Sequence, residues 1–357
     1  EAEVAEDGEE FIHLKRVVPV YRLTEGIKQR WLRATMWRAV EAFADQVSDA
    51  RAGWLEGDDG YWLPLAEAFK AVHFPEDLQQ TELARERLAL EGFIRFQFQI
   101  QEKRKAFRSK IKALNCAGDN RLVKPFLEEL GFTLTGAQQR AWEDVSRDMA
   151  GAFPMRRLLQ GDVGSGKTAV AACAAVRAVE SGFSVVVLAP TEILAEQHHR
   201  VFSRWFEPLG VTVHLHTGSK KTLVGEDPNQ GELGMDGEPL PPVVVGTHAL
   251  VEEKFAIENI GLAIIDEQHK FGVEQRKKLV RKGRYPHVLV MTATPIPRTL
   301  GLTVYGDLDC SVIDELPPGR GRVRTFVRMP ESLPKVWEFL RSKIAEGRQS
   351  YLVYPRV

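Results

Sequence analysis

A glycine-rich segment near the middle of the chain has the spacing of a phosphate-binding loop. The segment Gly161-Asp162-Val163-Gly164-Ser165-Gly166-Lys167-Thr168 fits the pattern G-x-x-x-x-G-K-[ST]. Its glycines let the backbone approach phosphate oxygens, so that backbone N–H groups can surround an anion. Lys167 would reach the β- and γ-phosphates of ATP, and the Thr168 hydroxyl would ligate Mg²⁺. The remaining loop contacts to the nucleotide are expected from Gly161, Gly164, Ser165 and Gly166.

Two adjacent carboxylates follow at a distance that suits the same chemistry. Leu262-Ala263-Ile264-Ile265 is a continuous apolar run, typical of a strand buried on both faces of a parallel sheet. Such a strand would deliver Asp266 and Glu267 to the carboxyl edge of the sheet, where ligands bind in open α/β folds. There Asp266 would hold Mg²⁺ and Glu267 would polarise the attacking water. Downstream of the phosphate loop, this pair predicts a motor that hydrolyses ATP.

The elements that must position these residues are short β-rich runs that alternate with helical segments from Phe132 to about Leu316. The runs are Arg157–Gln160, Ser184–Leu188, Val211–Leu215, Val243–Val245, Leu262–Ile265 and Val288–Met291. Thr168–Ser181 is rich in Ala and Val and is followed by Gly182, which indicates a helix with a glycine cap. The alternation predicts an α/β fold with a doubly wound parallel sheet.

The regions on either side of the predicted sheet differ from it in pattern. Ile27–Phe43 and Ala84–Leu114 carry apolar residues at helical spacing. After Pro317 come one more strand, helix and strand, like the start of a second domain: Val323–Val327, Leu333–Ala345 and Tyr351–Tyr354. We therefore expect a helical accessory region over residues 1–131, an ATP-binding domain over 132–318 and the beginning of a second domain over 319–357.

Composition limits the class of protein. With 357 residues, 44% hydrophobic and 27% charged, the chain has room for about two globular domains. The net charge of −1 means that nucleic-acid contacts would depend on local patches. The sequence shows no membrane span and no secretory segment, and its three cysteines lack metal-type spacing, so we expect a cytoplasmic protein without membrane contact. His198 and His199 also lack ligand spacing and are expected on a helix surface.

Further segments indicate a known family. They are Leu134-Thr135-Gly136-Ala137-Gln138, Ala189-Pro190-Thr191-Glu192, Gly246-Thr247-His248, Asp266-Glu267-Gln268-His269, Thr292-Ala293-Thr294-Pro295 and Tyr305-Gly306-Asp307-Leu308-Asp309. Together they closely resemble the RecG family of superfamily 2 DNA translocases, from about Val18 to the C-terminus. The resemblance implies RecA-like motor domains that use ATP and Mg²⁺ to remodel stalled replication forks and other branched or forked double-stranded DNA.

The resemblance also implies roles for single residues. Gln138 would read the adenine edge and Phe132 would stack on the base. His269 would couple the γ-phosphate to the DNA side, whereas Thr292 and Thr294 would couple hydrolysis to domain movement. The DNA track would grip phosphates without reading bases, through Pro190, Thr191, Thr217, Gly218, Gly246, Thr247 and His248. A monomer is expected, with other replication-fork proteins as further partners.

The chain departs from the family pattern, and other functions stay open. RecG proteins carry an N-terminal wedge domain and a complete second motor domain with an arginine finger, and Arg298 and Arg320 fall in the wrong motifs for that finger. The chain also opens on Glu1. We therefore expect a fragment that binds nucleotide but hydrolyses it poorly. The alternatives are a transcription-repair coupling translocase of the Mfd type, whose acidic motif ordinarily runs Asp-Glu-Glu-Gln, a nucleotide-binding DNA-docking module without motor activity, and an RNA helicase.

Overall fold

The computed structural model of the chain describes residues 12, 16–49, 62–220, 240–252, 255, 257–267, 285–294, 308–317 and 324–354. Contacts group residues 1–315 into one compact unit and residues 316–357 into a second. The three-part division expected from the sequence, with boundaries after residues 131 and 318, stays a prediction.

The larger unit is built on a sheet of seven strands in the order β3-β4-β2-β5-β6-β1-β7. The strands are β1 (Arg156–Gly161), β2 (Ser184–Leu188), β3 (Val213–His216), β4 (Val243–Gly246), β5 (Ile260–Asp266), β6 (His287–Thr292) and β7 (Asp309–Ile313). Every pairing between neighbouring strands is parallel, so the carboxyl ends of all seven strands lie on one edge. The predicted parallel sheet is confirmed, and each of the six strands predicted for this sheet lies within two residues of its observed bounds.

The edge strand β7 is absent from the sequence-based prediction. Its residues Asp309-Cys310-Ser311-Val312-Ile313 contain no continuous apolar run, and only Ser311 and Ile313 are buried. An edge strand needs one covered face and one partner strand, here β1, so its hydrophobic signal is weak. Tertiary pairing with β1 therefore decides the conformation of this segment.

Central strands contribute alternate residues to hydrophobic cores on the two faces of the sheet. In β2, Val185 and Val187 belong to one core, whereas Val186 and Leu188 belong to the other. In β5, Leu262 and Ile264 alternate with Ala263 and Ile265 in the same way. Burial on both faces explains why these strands are apolar runs and not alternating patterns.

Four described helices of the larger unit contribute to the first of these cores: α4 (Val123–Glu129), α5 (Gly136–Met149), α6 (Lys167–Glu180) and α7 (Glu192–Phe206). The side chains of α6 from Ala169 to Glu180 are all buried, which its many alanines allow because they add little volume. The helix ends as predicted: Gly182 has φ +85°, its N–H bonds to the Val179 carbonyl at 2.9 Å, and Phe183 N–H bonds to the Ala178 carbonyl at 3.0 Å.

The amino-terminal part of the larger unit is helical, as predicted. Its helices are α1 (Gln29–Phe43), α2 (Leu65–His73) and α3 (Leu78–Lys110). A small core between α2 and α3 includes Ala68 and Ala84, both fully buried. Arg87 of α3 is buried beside Asp49, with both carboxylate oxygens 2.9 Å from its Nη2 atom. No described helix combines the length and the apolar composition needed to cross a membrane.

Glu180, at the end of α6, forms a buried cap for the start of α4. Its Oε2 atom accepts hydrogen bonds from the backbone N–H groups of Leu122 at 3.0 Å and Val123 at 3.2 Å. The residue before α4 provides no capping side chain of its own. Glu180 also forms an ion pair with Arg177 at 3.4 Å, and both side chains are less than 10% exposed. The Glu180 carboxylate thus accepts hydrogen bonds from N–H groups at the start of α4 that have no partner within the helix, and it also neutralises the buried charge of Arg177.

We expect Glu180→Ala to lower the free energy of unfolding by about 3–5 kcal/mol, because it leaves the Arg177 charge buried and two amide donors unsatisfied. Urea denaturation of the chain would measure this change. Glu128→Ala, which removes an exposed carboxylate on α4, is the matched control and should change stability by less than about 0.5 kcal/mol. Equal effects of the two substitutions would show that the cap contributes nothing.

His287, at the start of β6, joins two segments of backbone inside the larger unit. Its Nδ1 atom accepts a hydrogen bond from Met155 N–H at 2.9 Å, and its Nε2–H donates to the Leu114 carbonyl at 2.8 Å. The ring is fully buried. Burial lowers the pKa of His287, so the folded state holds the neutral imidazole.

Stability should therefore fall as the solution becomes acidic. In the unfolded chain the pKa of this histidine is about 6.5, so below that pH the unfolded state binds a proton that the folded state does not bind. The contribution of neutral His287 to the free energy of unfolding is therefore fully present above pH 6.5. It is lost as the pH decreases toward the lower pKa of the folded state. The expected loss is up to about 1.4 kcal/mol per pH unit. Urea midpoints between pH 7.5 and pH 5.5 should decline less steeply for His287→Asn than for the unsubstituted chain. Parallel declines would assign the pH dependence to other groups.

The smaller unit contains one described α-helix, α8 (Leu333–Ala345), as the sequence predicts. The flanking runs Val323–Val327 and Tyr351–Tyr354 were expected to be strands, but their described residues, 324–327 and 351–354, form no strand. A strand requires a hydrogen-bonded partner, and the described part of this unit offers none. Local β propensity alone is therefore not enough to form a ladder here.

Candidate nucleotide and nucleic-acid site

The predicted phosphate loop lies between the end of β1 and the start of α6. Ser165 N–H bonds to the Asp162 carbonyl at 3.1 Å, which closes a tight turn. Gly164 has φ +76° and Gly166 has φ +86°, values that residues with a Cβ rarely adopt. A Cβ at Gly166 would also collide with the side-chain amide of Gln138. The strand, loop and helix thus direct the amino end of α6 toward the carboxyl edge of the sheet.

Lys167 lies in this loop close to the acidic pair. Its Nζ atom donates hydrogen bonds to the Gly161 carbonyl at 2.8 Å and the Asp162 carbonyl at 3.0 Å. Burial lowers the pKa of Lys167, and the negative charges of Asp266, Glu267 and Asp162 oppose that shift. The carboxylates of Asp266 and Glu267 are therefore close enough to Lys167 to affect its pKa, although β6 lies between β5 and β1 in the sheet.

Gln138 contacts the loop from the start of α5. Its Oε1 atom accepts from Thr135 N–H at 2.9 Å, and Gln138 N–H donates to Thr135 Oγ1 at 3.3 Å, which completes a capping box. Its Nε2 atom donates to the Ser165 carbonyl at 2.8 Å. Both polar atoms of this buried amide are thus engaged within the protein, and its predicted contact with adenine stays a prediction. Phe132 is exposed beside Trp205, with 6.5 Å between ring centroids.

The acidic pair has an unusual backbone conformation. Asp266 is the last residue of β5, and Glu267 follows it with φ +50°, in the left-handed region. Glu267 N–H bonds to the Met291 carbonyl of β6 at 2.9 Å, and Glu267 Oε1 accepts from Ala293 N–H at 3.1 Å. Neighbouring backbone thus holds the strained residue in place, as is common at functional sites.

Thr292 is the last residue of β6, Thr294 lies two residues after it, and the two side chains contact each other. Their hydroxyl oxygens are 2.8 Å apart, and Thr294 N–H donates to Thr292 Oγ1 at 3.2 Å. Because Ala293 between them donates to Glu267, the predicted coupling residues belong to the same hydrogen-bonded turn as the predicted base. His269 lies outside the described residues.

The structure corrects the expectation for His198, which is buried and does not lie on the helix surface. Its Nε2 atom is 2.8 Å from Asp266 Oδ2, and its ring stacks on Phe202 with 6.0 Å between centroids. His199 is half-buried, with Nε2–H donating to the Val213 carbonyl at 3.2 Å. A signal for His198 exists in the sequence, because Ala195 and Phe202 lie three residues before it and four after it, on one apolar face of the helix.

The predicted DNA-contact residues lie at the ends of three adjacent strands, β2, β4 and β3. Thr191, Gly218 and His248 are exposed, and Pro190 is half-buried. Thr217, Gly246 and Thr247 are buried, so only the exposed members present side chains or backbone directly to a ligand. A Cβ at Gly246 would collide with the His216 carbonyl, which explains the glycine there.

Strand order therefore sorts the predicted residues into two halves of one sheet edge. The predicted phosphate-loop, coupling and acidic residues lie at the ends of β1, β6 and β5, and the predicted DNA-contact residues lie at the ends of β2, β4 and β3. The halves meet where β5 pairs with β2. The order of these segments along the chain does not show this division of the sheet edge into two halves, because the order of the strands in the sheet differs from their order in the sequence.

The described residues contain no cluster of three or more His, Cys, Asp or Glu side chains arranged for a metal ion. Mg²⁺ in nucleotide sites does not need one, since one or two protein oxygens join substrate phosphates and water around it. Ser165 Oγ is buried without a hydrogen-bond partner among the described residues, and it lies in the same loop as the half-buried Thr168. The chemistry of Thr168 and Asp266 thus fits a nucleotide-bound Mg²⁺ ion.

Comparison with known proteins shows similarity to helicases. The family described as DEAD/DEAH box helicase matches residues 135–302. The ATP-dependent DNA helicase RecG of Synechocystis sp. is 42% identical over 347 residues, covering 96% of this chain and 40% of that protein. RecG of Bacillus subtilis is 40% identical over 348 residues, covering 96% and 50%.

A solved structure agrees with these relatives. The structure of RecG bound to a three-way DNA junction matches with a TM-score of 0.73 and 36% identity, covering 98% of this chain and 46% of that one. The chain thus spans about half the length of the curated relatives it matches. A RecA-like helicase fold agrees with the observed seven-stranded parallel sheet.

Proposed function

We propose that this chain, which is similar to RecG helicases along almost its whole length, acts as an ATP-dependent double-stranded DNA translocase and helicase. Its task would be to remodel stalled replication forks and branched DNA in recombination and repair. The observation that supports the proposal is that the residues predicted to bind nucleotide and the residues predicted to contact DNA lie in separate halves of one sheet edge. A motor needs its nucleotide site and its DNA site to be coupled, so that a change at one alters the other.

In this proposal the phosphate loop binds ATP. Lys167 exchanges its two carbonyl partners for β- and γ-phosphate oxygens, and the left-handed glycines turn backbone N–H groups toward the phosphates. Ser165 supplies a buried hydroxyl that a phosphate oxygen can satisfy. Gln138 holds the loop through its hydrogen bond to the Ser165 carbonyl, and the exposed ring of Phe132 is available for stacking on adenine.

Hydrolysis is assigned to the acidic pair. Mg²⁺, held by Thr168 and Asp266, would neutralise charge on the transferred phosphoryl group. Glu267 would orient and polarise the attacking water. Its bond to Ala293 would then transmit the loss of the γ-phosphate to the turn that contains Thr292 and Thr294. His269 is proposed to link the γ-phosphate to the DNA side.

The DNA half would grip phosphates through its exposed members, Thr191, Gly218 and His248, with Pro190 beside them. Thr217, Gly246 and Thr247 would shape the backbone beneath them. The related RecG structure is bound to a three-way DNA junction, and we propose the same class of branched DNA for this chain. We also propose that the protein is a cytoplasmic monomer that meets other replication-fork proteins, with domain boundaries near residues 131 and 318.

The steady-state rate of ATP hydrolysis, measured with and without forked DNA, tests this function. It should be measured on this chain and on the longest natural version of the protein, with linear duplex of equal length as the DNA control. DNA-stimulated hydrolysis by the longer protein, stronger with the fork, is the expected result. Nucleotide binding by both proteins without any response to DNA would favour a nucleotide-gated binding module over a motor.

A further inference from the structure

His198 lies where the two halves of the sheet edge meet. It belongs to α7, the helix that follows β2, and its Nε2 atom reaches Asp266 at the end of β5. Both side chains are at most 14% exposed. The ring stacks on Phe202, which stacks in turn on Phe206 with 5.4 Å between centroids, and both phenylalanines are fully buried. Packing therefore fixes the direction in which the imidazole points.

The contact has a defined polarity. A carboxylate only accepts hydrogen bonds, so Nε2–H of His198 donates to Asp266 Oδ2. This bond holds one oxygen of the carboxylate and leaves Oδ1 as the oxygen for a metal ion or its water. Carboxylates that ligate metals are commonly oriented by such a second hydrogen bond, and loss of that bond typically costs 10–100-fold in metal affinity or activity.

The same helix is attached to the proposed DNA half at its first turn. Thr191 caps α7, with its Oγ1 atom accepting from Leu194 N–H at 3.3 Å. Glu192 accepts from Ser219 Oγ at 2.6 Å and from Ser219 N–H at 3.1 Å, and these bonds lower the pKa of Glu192. Two segments of the DNA half, one at Thr191 and one beside Gly218, are thus fixed to a helix whose second turn carries His198.

We infer that His198 is a positioning residue that orients Asp266 for the metal ion and ties that orientation to α7. This inference rests on the proposed function, because it assumes a nucleotide-bound metal at Asp266. If DNA contacts the amino end of α7 and shifts the helix, the Nε2–H group of His198 would move relative to Asp266. The affinity of the nucleotide site for the metal ion would then change. The helix is thereby a direct mechanical connection between the two halves of the sheet edge.

Metal affinity, and not turnover, is the decisive measurement. Mn²⁺ is a suitable probe because carboxylate and water ligands suit both Mg²⁺ and Mn²⁺. The EPR signal of free Mn²⁺ gives its dissociation constant for the ADP complex of the chain. We expect His198→Phe, which retains the ring and removes the donor, to raise this constant about 10–100-fold. ADP affinity in the absence of metal should not change.

Matched variants separate orientation from packing. His198→Gln restores an N–H donor and should recover most of the Mn²⁺ affinity, whereas His198→Met serves as a second variant without a donor should Phe not fit. His199→Phe removes the neighbouring imidazole N–H, which donates to the Val213 carbonyl, and should leave Mn²⁺ affinity unchanged. Equal Mn²⁺ affinity of His198→Phe and His198→Gln would overturn the inference.

Forked DNA tests the mechanical connection. Its addition should shift the Mn²⁺ dissociation constant of the unsubstituted chain and of His198→Gln, but not that of His198→Phe. An equal shift in all three proteins, or none in the unsubstituted chain, would contradict the connection through α7. Failure of the unsubstituted chain to bind ADP would instead refute the proposed nucleotide site, so the two failures are distinguishable.

Discussion

Lys167→Ala is expected to lower kcat for ATP hydrolysis about 10²- to 10³-fold or more while the fold stays intact. Its ammonium is the cation of the phosphate loop, and the loop backbone alone cannot neutralise charge that develops on the γ-phosphate. In the structure Lys167 is half-buried, and among the described residues its Nζ atom donates to the Gly161 and Asp162 carbonyls, neither of which is charged. The rate should be measured on the longest natural version of the protein with forked DNA.

Controls make this result specific. Lys124→Ala removes an exposed lysine on α4 and should leave the rate unchanged. Urea midpoints of the unsubstituted protein and Lys167→Ala should agree closely, because stability of the loop depends on its glycine turn and on Gln138. A rate of ATP hydrolysis near normal in Lys167→Ala would contradict the assignment of this segment as a phosphate-binding loop.

Glu267→Gln is expected to trap bound ATP. The amide keeps the size of the side chain and an Oε1 atom that can accept from Ala293 N–H, so the turn with Thr292 and Thr294 should persist. It cannot take a proton from water, and loss of a general base typically lowers the rate about 10²–10⁴-fold. ATP affinity should be unchanged, since the substitution removes an interaction made only in the transition state.

Single-turnover hydrolysis and equilibrium binding of ATP would separate these two effects. Glu129→Gln, on the exposed surface of α4, is the matched control. Unchanged hydrolysis by Glu267→Gln would place the base elsewhere, whereas loss of both binding and hydrolysis would indicate collapse of the turn. Only slow hydrolysis with normal binding agrees with the assigned role.

The sequence by itself determined the parallel sheet and predicted the chemistry at its edge. Runs such as Val243–Val245 and Leu262–Ile265 are apolar because both faces of their strands are buried, and this pattern is local enough to detect directly. The phosphate loop is equally local, because its glycines are required by backbone angles within eight consecutive residues. The end of α6 at Gly182 follows from the same preference.

Only the tertiary structure decided which strands are neighbours and which side chains meet. Strand β7 forms because β1 provides a partner, and the run at Tyr351–Tyr354, with no such partner among the described residues, stays without a ladder. His198 is separated from Asp266 by 68 residues, yet strand order places the two side chains 2.8 Å apart. A pattern within one segment reports which face of that segment is buried, but it carries no information about the partner that covers the face, because that partner comes from a distant part of the chain.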